Sequence, residues 1–133
     1  MVIDGTADRR VALAREPYST LVAGIYSTKP GLLATPHAMD DPRLASEIPL
    51  AVMGIVPCKV SAENGAIERG DLLVTSSTPG HAMKGTKRSR LVGAVVGKAL
   101  EPFDPAPFDS AQGGQGKPLP SGKGIIQVLV TLQ

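Results

Sequence analysis

Four residues of this chain lie close enough together to suggest covalent chemistry: Asp71, Ser76, Ser77 and His81. A serine-type catalytic group needs an imidazole bridging a nucleophilic hydroxyl and an orienting carboxylate, with oxyanion donors nearby. Here the spacing supplies the residue types but no nucleophile-elbow sequence. The plainer expectation is that Ser76, Ser77 and Thr78 hydrogen-bond around the turn at Pro79-Gly80, so no residue is assigned a catalytic role. Glu63, Glu68, Asp71 and Glu101 could supply paired carboxylates for acid–base work, yet each also has an ordinary turn or surface role.

Metal and cofactor chemistry finds little support. His37 and His81 are the only histidines and Cys58 the only cysteine, without the spacing of a zinc site. Asp40, Asp41 and Glu47 lack calcium-loop spacing and read as a solvated loop. The glycine-rich run Gln112 to Gly116 has no following Lys-Ser/Thr and no helix, so it is not a phosphate loop. No cofactor is expected. Cys58 lies in an apolar run, which predicts a buried, inert thiol.

These residues are carried by sequence that punctuates itself heavily. The chain has 133 residues, 15 Gly and 12 Pro, with 3% aromatic residues and no Trp. That length predicts one domain, here 1–133, with a core of Val, Leu, Ile and Ala. Frequent turns between short β-prone runs predict an all-β fold, a small barrel or sandwich of short, mainly antiparallel strands. Net charge is +2, and the densest basic cluster, Lys84 to Arg90, has no accompanying aromatic residues. It reads as a solvated turn, so no nucleic-acid partner is expected. No apolar run approaches membrane-spanning length, and none is expected to insert.

The organising stretch is 50–86, where turns at Gly65, at Gly70-Asp71 and at Pro79-Gly80 separate apolar runs. Upstream, Val2-Ile3 ends at Asp4-Gly5 and predicts a hairpin with 9–13. Residues 21–27 predict an apolar strand, and Lys29-Pro30-Gly31 a turn. Asp41-Pro42 predicts one helical turn inside a polar loop. A long strand over 48–60 must bend or reach an edge at Pro49 and Pro57. Residues 91–100 predict the strongest strand, paired antiparallel with 125–132 across a long mobile loop, 101–123, rich in Pro, Gly, Ser and Gln. Phe103 and Phe108, the only Phe residues, are expected to tack its first half onto a surface. Starting directly in strand-like sequence, the chain reads as a module excised from a longer protein.

Three blocks carry a resemblance: 22–31 (VAGIYSTKPG), 49–60 (PLAVMGIVPCKV) and 67–76 (IERGDLLVTS), joined by Gly80-His81-Ala82-Met83 and 95–101. Together they resemble a β-rich C-terminal module of bacterial and phage-like tail-fibre or surface proteins. More distantly, they are similar to the autoproteolytic intramolecular-chaperone domain of phage neck-appendage and tailspike proteins. The likeness covers roughly residues 20 to 101 and the last strand. It implies a structural or assembly role, a surface or phage-like particle location, and a homo-oligomer, by analogy a trimer. Self-cleavage is the alternative it implies, although no acidic residue here matches the catalytic position. A second alternative is a small-ligand-binding β-clip-like module, because Ile67 to Leu73 resembles the closing turn of such folds. That reading expects Lys59, Lys84 and Lys98 to converge with acidic partners in a concave site. A surplus of apolar residues on 21–27, 91–100 and 125–132 independently suggests a surface covered by another copy.

Overall fold

The computed structural model describes residues 1–27, 38, 40–105 and 122–133. Among them the protein is all-β, with nine strands and two short 3₁₀ turns. Its centre is a closed five-stranded barrel made of β5 (Met53–Ser61), β6 (Leu72–Thr75), β7 (Ala82–Lys84), β8 (Val95–Ala99) and β9 (Lys123–Thr131), in the order β5-β7-β6-β8-β9. All neighbours are antiparallel except β5 and β7, which run parallel. The pairing expected between 91–100 and 125–132 is present, with Gly97 opposite Val130 and Ala99 opposite Val128.

Period-two side-chain alternation explains the core. On β9, Gly124, Ile126, Val128 and Val130 point inward and are buried, whereas Ile125 and Gln127 face out. The sequence reads this strand as apolar on both faces; the structure gives it one buried face. Inward residues of the other strands, Val60, Leu73, Ala82 and Ala99, join them in one cluster with Ile67 and Phe103. A smaller cluster lies outside the β6–β7 sheet, where Tyr18 covers Val74, Met83 and Ala94.

Gly97 is fixed by close approach. A methyl group there would meet the Leu129 carbonyl oxygen at 2.4 Å and Val128 Cγ1 at 2.9 Å, so only glycine lets β8 and β9 approach this closely. Beside it the β6–β8 register shifts between Leu73 and Val74, an irregularity of the bulge type that aids closure of a small barrel.

The segments before the barrel form an outer layer. In it, β1 (Val2–Ile3) pairs with β2 (Val11–Ala12) as the Asp4-Gly5 turn predicts, and Asp4 Oδ1 accepts from the Thr6 amide at 2.9 Å. The second ribbon pairs β3 (Ile25–Tyr26) with β4 (Leu50–Ala51). Only two residues of the expected strand 21–27 are ladder strand, because Gly24 turns the backbone at φ 150° and a Cβ there would meet the Ala51 oxygen at 2.4 Å. The helical turn expected after Asp41 is a 3₁₀ turn, Pro42–Ser46, with Asp41 Oδ1 accepting from the Arg43 amide at 2.9 Å.

Two further expectations shift, for 91–100 and for Phe103, and one on Pro57 holds. The strand over 91–100 shortens to Val95–Ala99: Leu91 has helical backbone angles and Gly93 a φ of 78°, so 91–94 is a turn. Pro57 lies on an edge, as expected: β5 pairs with β7 only at Val60, so that side of residue 57 has no strand neighbour among the described residues. Opposite it, Gln127 gives its N–H to Glu101 Oε1 at 2.6 Å and accepts the Leu100 N–H at 3.0 Å, so no donor is required from residue 57. Phe103 is core rather than surface, 1% exposed, and exchanges two 2.8 Å backbone hydrogen bonds with Ile67 to seal one barrel end. Phe108, His37, the Pro30-Gly31 turn and most of the 101–123 loop lie outside the described residues.

Candidate functional site

The turns that carry the possible chemistry form as expected: Gly65, Gly70 and Gly80 take φ of 104°, 89° and 74°. Their side chains do not assemble a serine-type group. Asp71 stands at the start of β6, where its carboxylate accepts the Glu68 amide at 2.8 Å and faces Lys84 Nζ at 3.4 Å. Ser76, Ser77 and His81 stand past the other end of that strand. The Ser76 hydroxyl is buried and lies 2.8 Å from the His81 carbonyl and 3.2 Å from the Thr78 carbonyl. The His81 ring nitrogen Nδ1 sits 2.9 Å from the Pro79 carbonyl and so carries the proton there, leaving Nε2 as the free ring position. Among the described residues, no hydrogen bond joins that ring to Asp71, Ser76 or Ser77. The turn reading of Ser76, Ser77 and Thr78 is the geometry found.

What the spacing does not reveal is the partner of Ser77. Glu63, from the turn after β5, accepts hydrogen bonds from the Ser77 hydroxyl and amide and from the Thr78 hydroxyl (2.8 Å) and amide (3.3 Å). Desolvation pushes this carboxyl up, but hydrogen bonds from the Ser77 and Thr78 hydroxyls, the Ser77 amide and the Ser61 hydroxyl outweigh it and hold it at about 2. The group clasps two turns together. Glu101 is likewise committed, to the Gln127 amide. Glu63, Asp71 and Glu101 therefore each have a structural partner.

Tyr18 is the other residue that sequence reading misses. Its backbone has φ 54°, and its oxygen accepts the amides of Thr86 and Lys87 at 2.9 and 3.0 Å. Arg90 lies over its ring at 4.8 Å. Part of the basic cluster at 84–90 is thus engaged within the fold, with Lys84 on Asp71 and Arg90 on Tyr18.

Among the surfaces of the described residues, two could meet something outside the domain. One is a cavity of about 480 Å³ beside β5, walled by Cys58, Ala82, Val96 and Ile25, with Lys59 and His81 also lining it. Cys58 is buried, as expected from sequence, and burial raises its thiol to about 12. The other is the outward face of the β5–β9 ribbon. Met53 is 79% exposed and Ile55 63%, with Leu129 directly opposite Ile55. Lys59 and Lys98 border this apolar strip. Of Lys59, Lys84 and Lys98 only Lys59 lines the cavity, and among the described residues only Lys84 has a carboxylate partner.

Among the described residues no three His, Cys, Asp or Glu side chains group as a metal site would, and no helix is long and apolar enough to cross a membrane. The chain matches no protein-family model, no curated protein and no solved structure.

Proposed function

We propose that this domain is a non-enzymatic structural and assembly module of a larger tail-fibre-like or surface protein, and that it acts as a homotrimer. The observation that carries the reading is the outward strip of β5 and β9. Met53, Ile55 and Leu129 present apolar side chains on one flat ribbon face, and charged residues stand only at its border. An apolar centre with a polar rim is the anatomy of a protein–protein interface. A second copy of the same strip is the matching occupant, because Met53, Ile55 and Leu129 are apolar and the outward Gln127 is uncharged. The resemblance to fibre modules sets the number at three.

The committed hydroxyls and carboxylates agree with a role in shape. Ser76, Ser77, Glu63 and Asp71 each hold a turn closed, which suits a module that must survive as part of a rigid assembly. Light scattering tests the association with the double substitution Met53→Lys and Ile55→Lys. Both side chains are exposed, so the fold should tolerate them and show an unchanged β-sheet circular dichroism spectrum. The variant is expected to run as a monomer while the parent domain runs as an oligomer. Equal masses for parent and variant would reject the strip as the interface.

A further inference from the structure

The 480 Å³ cavity has a definite origin in the barrel's connectivity. The parallel strands β5 and β7 are in register at a single pair, Val60 and Ala82. From there β5 runs on for seven residues towards its start without β7 beside it. The wedge left between them is walled by Pro57, Cys58 and Lys59 on one side and by His81 and Ala82 on the other, and Ile25 of the outer layer roofs it. Closing a small barrel would normally fill such a space with side chains. Here Ala82 and Gly80 are too small to do so.

Its volume falls in the range of small-molecule sites, ~300–1,000 Å³, and its walls are mainly apolar. Polar groups within reach are few. Thr75 is already engaged, its hydroxyl bonded to the Glu16 carbonyl and the Ser19 amide. Lys59 has no acidic partner among the described residues, and His81, with its proton on Nδ1 at the Pro79 carbonyl, offers only the Nε2 lone pair, an acceptor. Among the described residues no Asp or Glu lines the cavity. The charge there is therefore one-sided, cationic at Lys59 and at the Met1 ammonium, which donates to the Gly24 carbonyl at 3.0 Å, beside an apolar interior.

We infer that the wedge between β5 and β7 is a binding site for a small amphipathic carboxylate, a medium-chain or aryl acid, with its apolar body against Ile25, Cys58, Ala82 and Val96 and its carboxylate at Lys59. This goes beyond the assembly role and does not depend on it. It differs from the sugar-acid chemistry of a β-clip reading, which expects three lysines in one concave site, whereas only Lys59 of the three lines this cavity.

The test uses decanoate and its uncharged counterpart decanol, titrated into the whole domain and followed by isothermal calorimetry and methyl NMR. Saturable binding of decanoate at one site per chain is expected, with shifts at Ile25, Ala82 and Val96. Lys59→Glu, an exposed substitution, should weaken decanoate by about tenfold or more and leave decanol unchanged. Ala82→Leu should fill the wedge and abolish both; Val96→Phe serves if Ala82→Leu does not fold. No saturable heat at millimolar decanoate would overturn the inference. So would shifts confined to Met53, Ile55 and Leu129, which would place the ligand on the oligomer strip, and so would equal affinity in Lys59→Glu.

Discussion

Replacing Glu63 by Gln removes a charge from a site built to hold one. The wild-type carboxyl, ordinarily at 4.5, is pushed up by desolvation but held at about 2 by hydrogen bonds from the Ser77 and Thr78 hydroxyls, the Ser77 amide and the Ser61 hydroxyl. Undiscounted, that depression corresponds to about 3 kcal/mol of folding free energy at neutral pH. Glu63 is exposed, however, and solvent screening reduces the figure to ~1–2 kcal/mol. Because the folded value lies below the unfolded one, the contribution is fully present above 4.5 and is lost as pH falls towards 2. Urea denaturation of wild type and Glu63→Gln at neutral pH should therefore differ by ~1–2 kcal/mol, a fall of several degrees in Tm. The gap should shrink steadily as the buffer is taken below pH 4.5. A gap that stays constant down to about pH 2.5 would refute the reasoning, since it would show that the ionised carboxylate is not what holds the two turns.

Other substitutions probe other joints of the fold. Tyr18→Phe strands the Thr86 and Lys87 amides without their acceptor and should cost ~1–3 kcal/mol in the same denaturation assay. Gly97→Ala drives a methyl group into the Leu129 carbonyl and should cost ~2–3 kcal/mol or prevent folding, whereas Gly65→Ala, which meets no neighbour within 4 Å, should cost only its backbone strain of ~1 kcal/mol. Cys58, buried and raised to about 12, should alkylate with iodoacetamide far more slowly in the native domain than in urea, as mass spectrometry would record. Comparable rates in the two states would show that the thiol is not sealed in the wall.

The sequence announces its turns more clearly than its strands. Asp4-Gly5, Asn64-Gly65 and Pro79-Gly80 each force a corner, so the first hairpin and β7 fall where their flanking glycines put them. Strand length is less legible, since Leu91 to Ala94 is as apolar as Val95 to Ala99. Only a helical Leu91 and a left-handed Gly93 separate turn from strand. Face assignment fails on β9 for a related reason. Ile125 and Leu129 are as hydrophobic as Ile126 and Val128, and only closure of the barrel decides which set points inward.

The site follows the same rule. Hydroxyls near a Pro-Gly turn are legible as turn residues, but the acceptor that completes them, Glu63, is 14 positions upstream of Ser77. Tyr18 is 68 positions from the amide it holds at Thr86. Contacts across that distance belong to the topology, which period and propensity do not encode. The exposed strip is hidden likewise: Met53 and Ile55 sit in an apolar run that does not say which side faces out until β5 takes its place in the barrel.

Analytical ultracentrifugation of the unmodified domain across micromolar concentrations tests the assembly claim most directly. A sedimenting species of three chains, dissociating on dilution and lost with Met53→Lys and Ile55→Lys, is the expected result. A single-chain species at every concentration would contradict it.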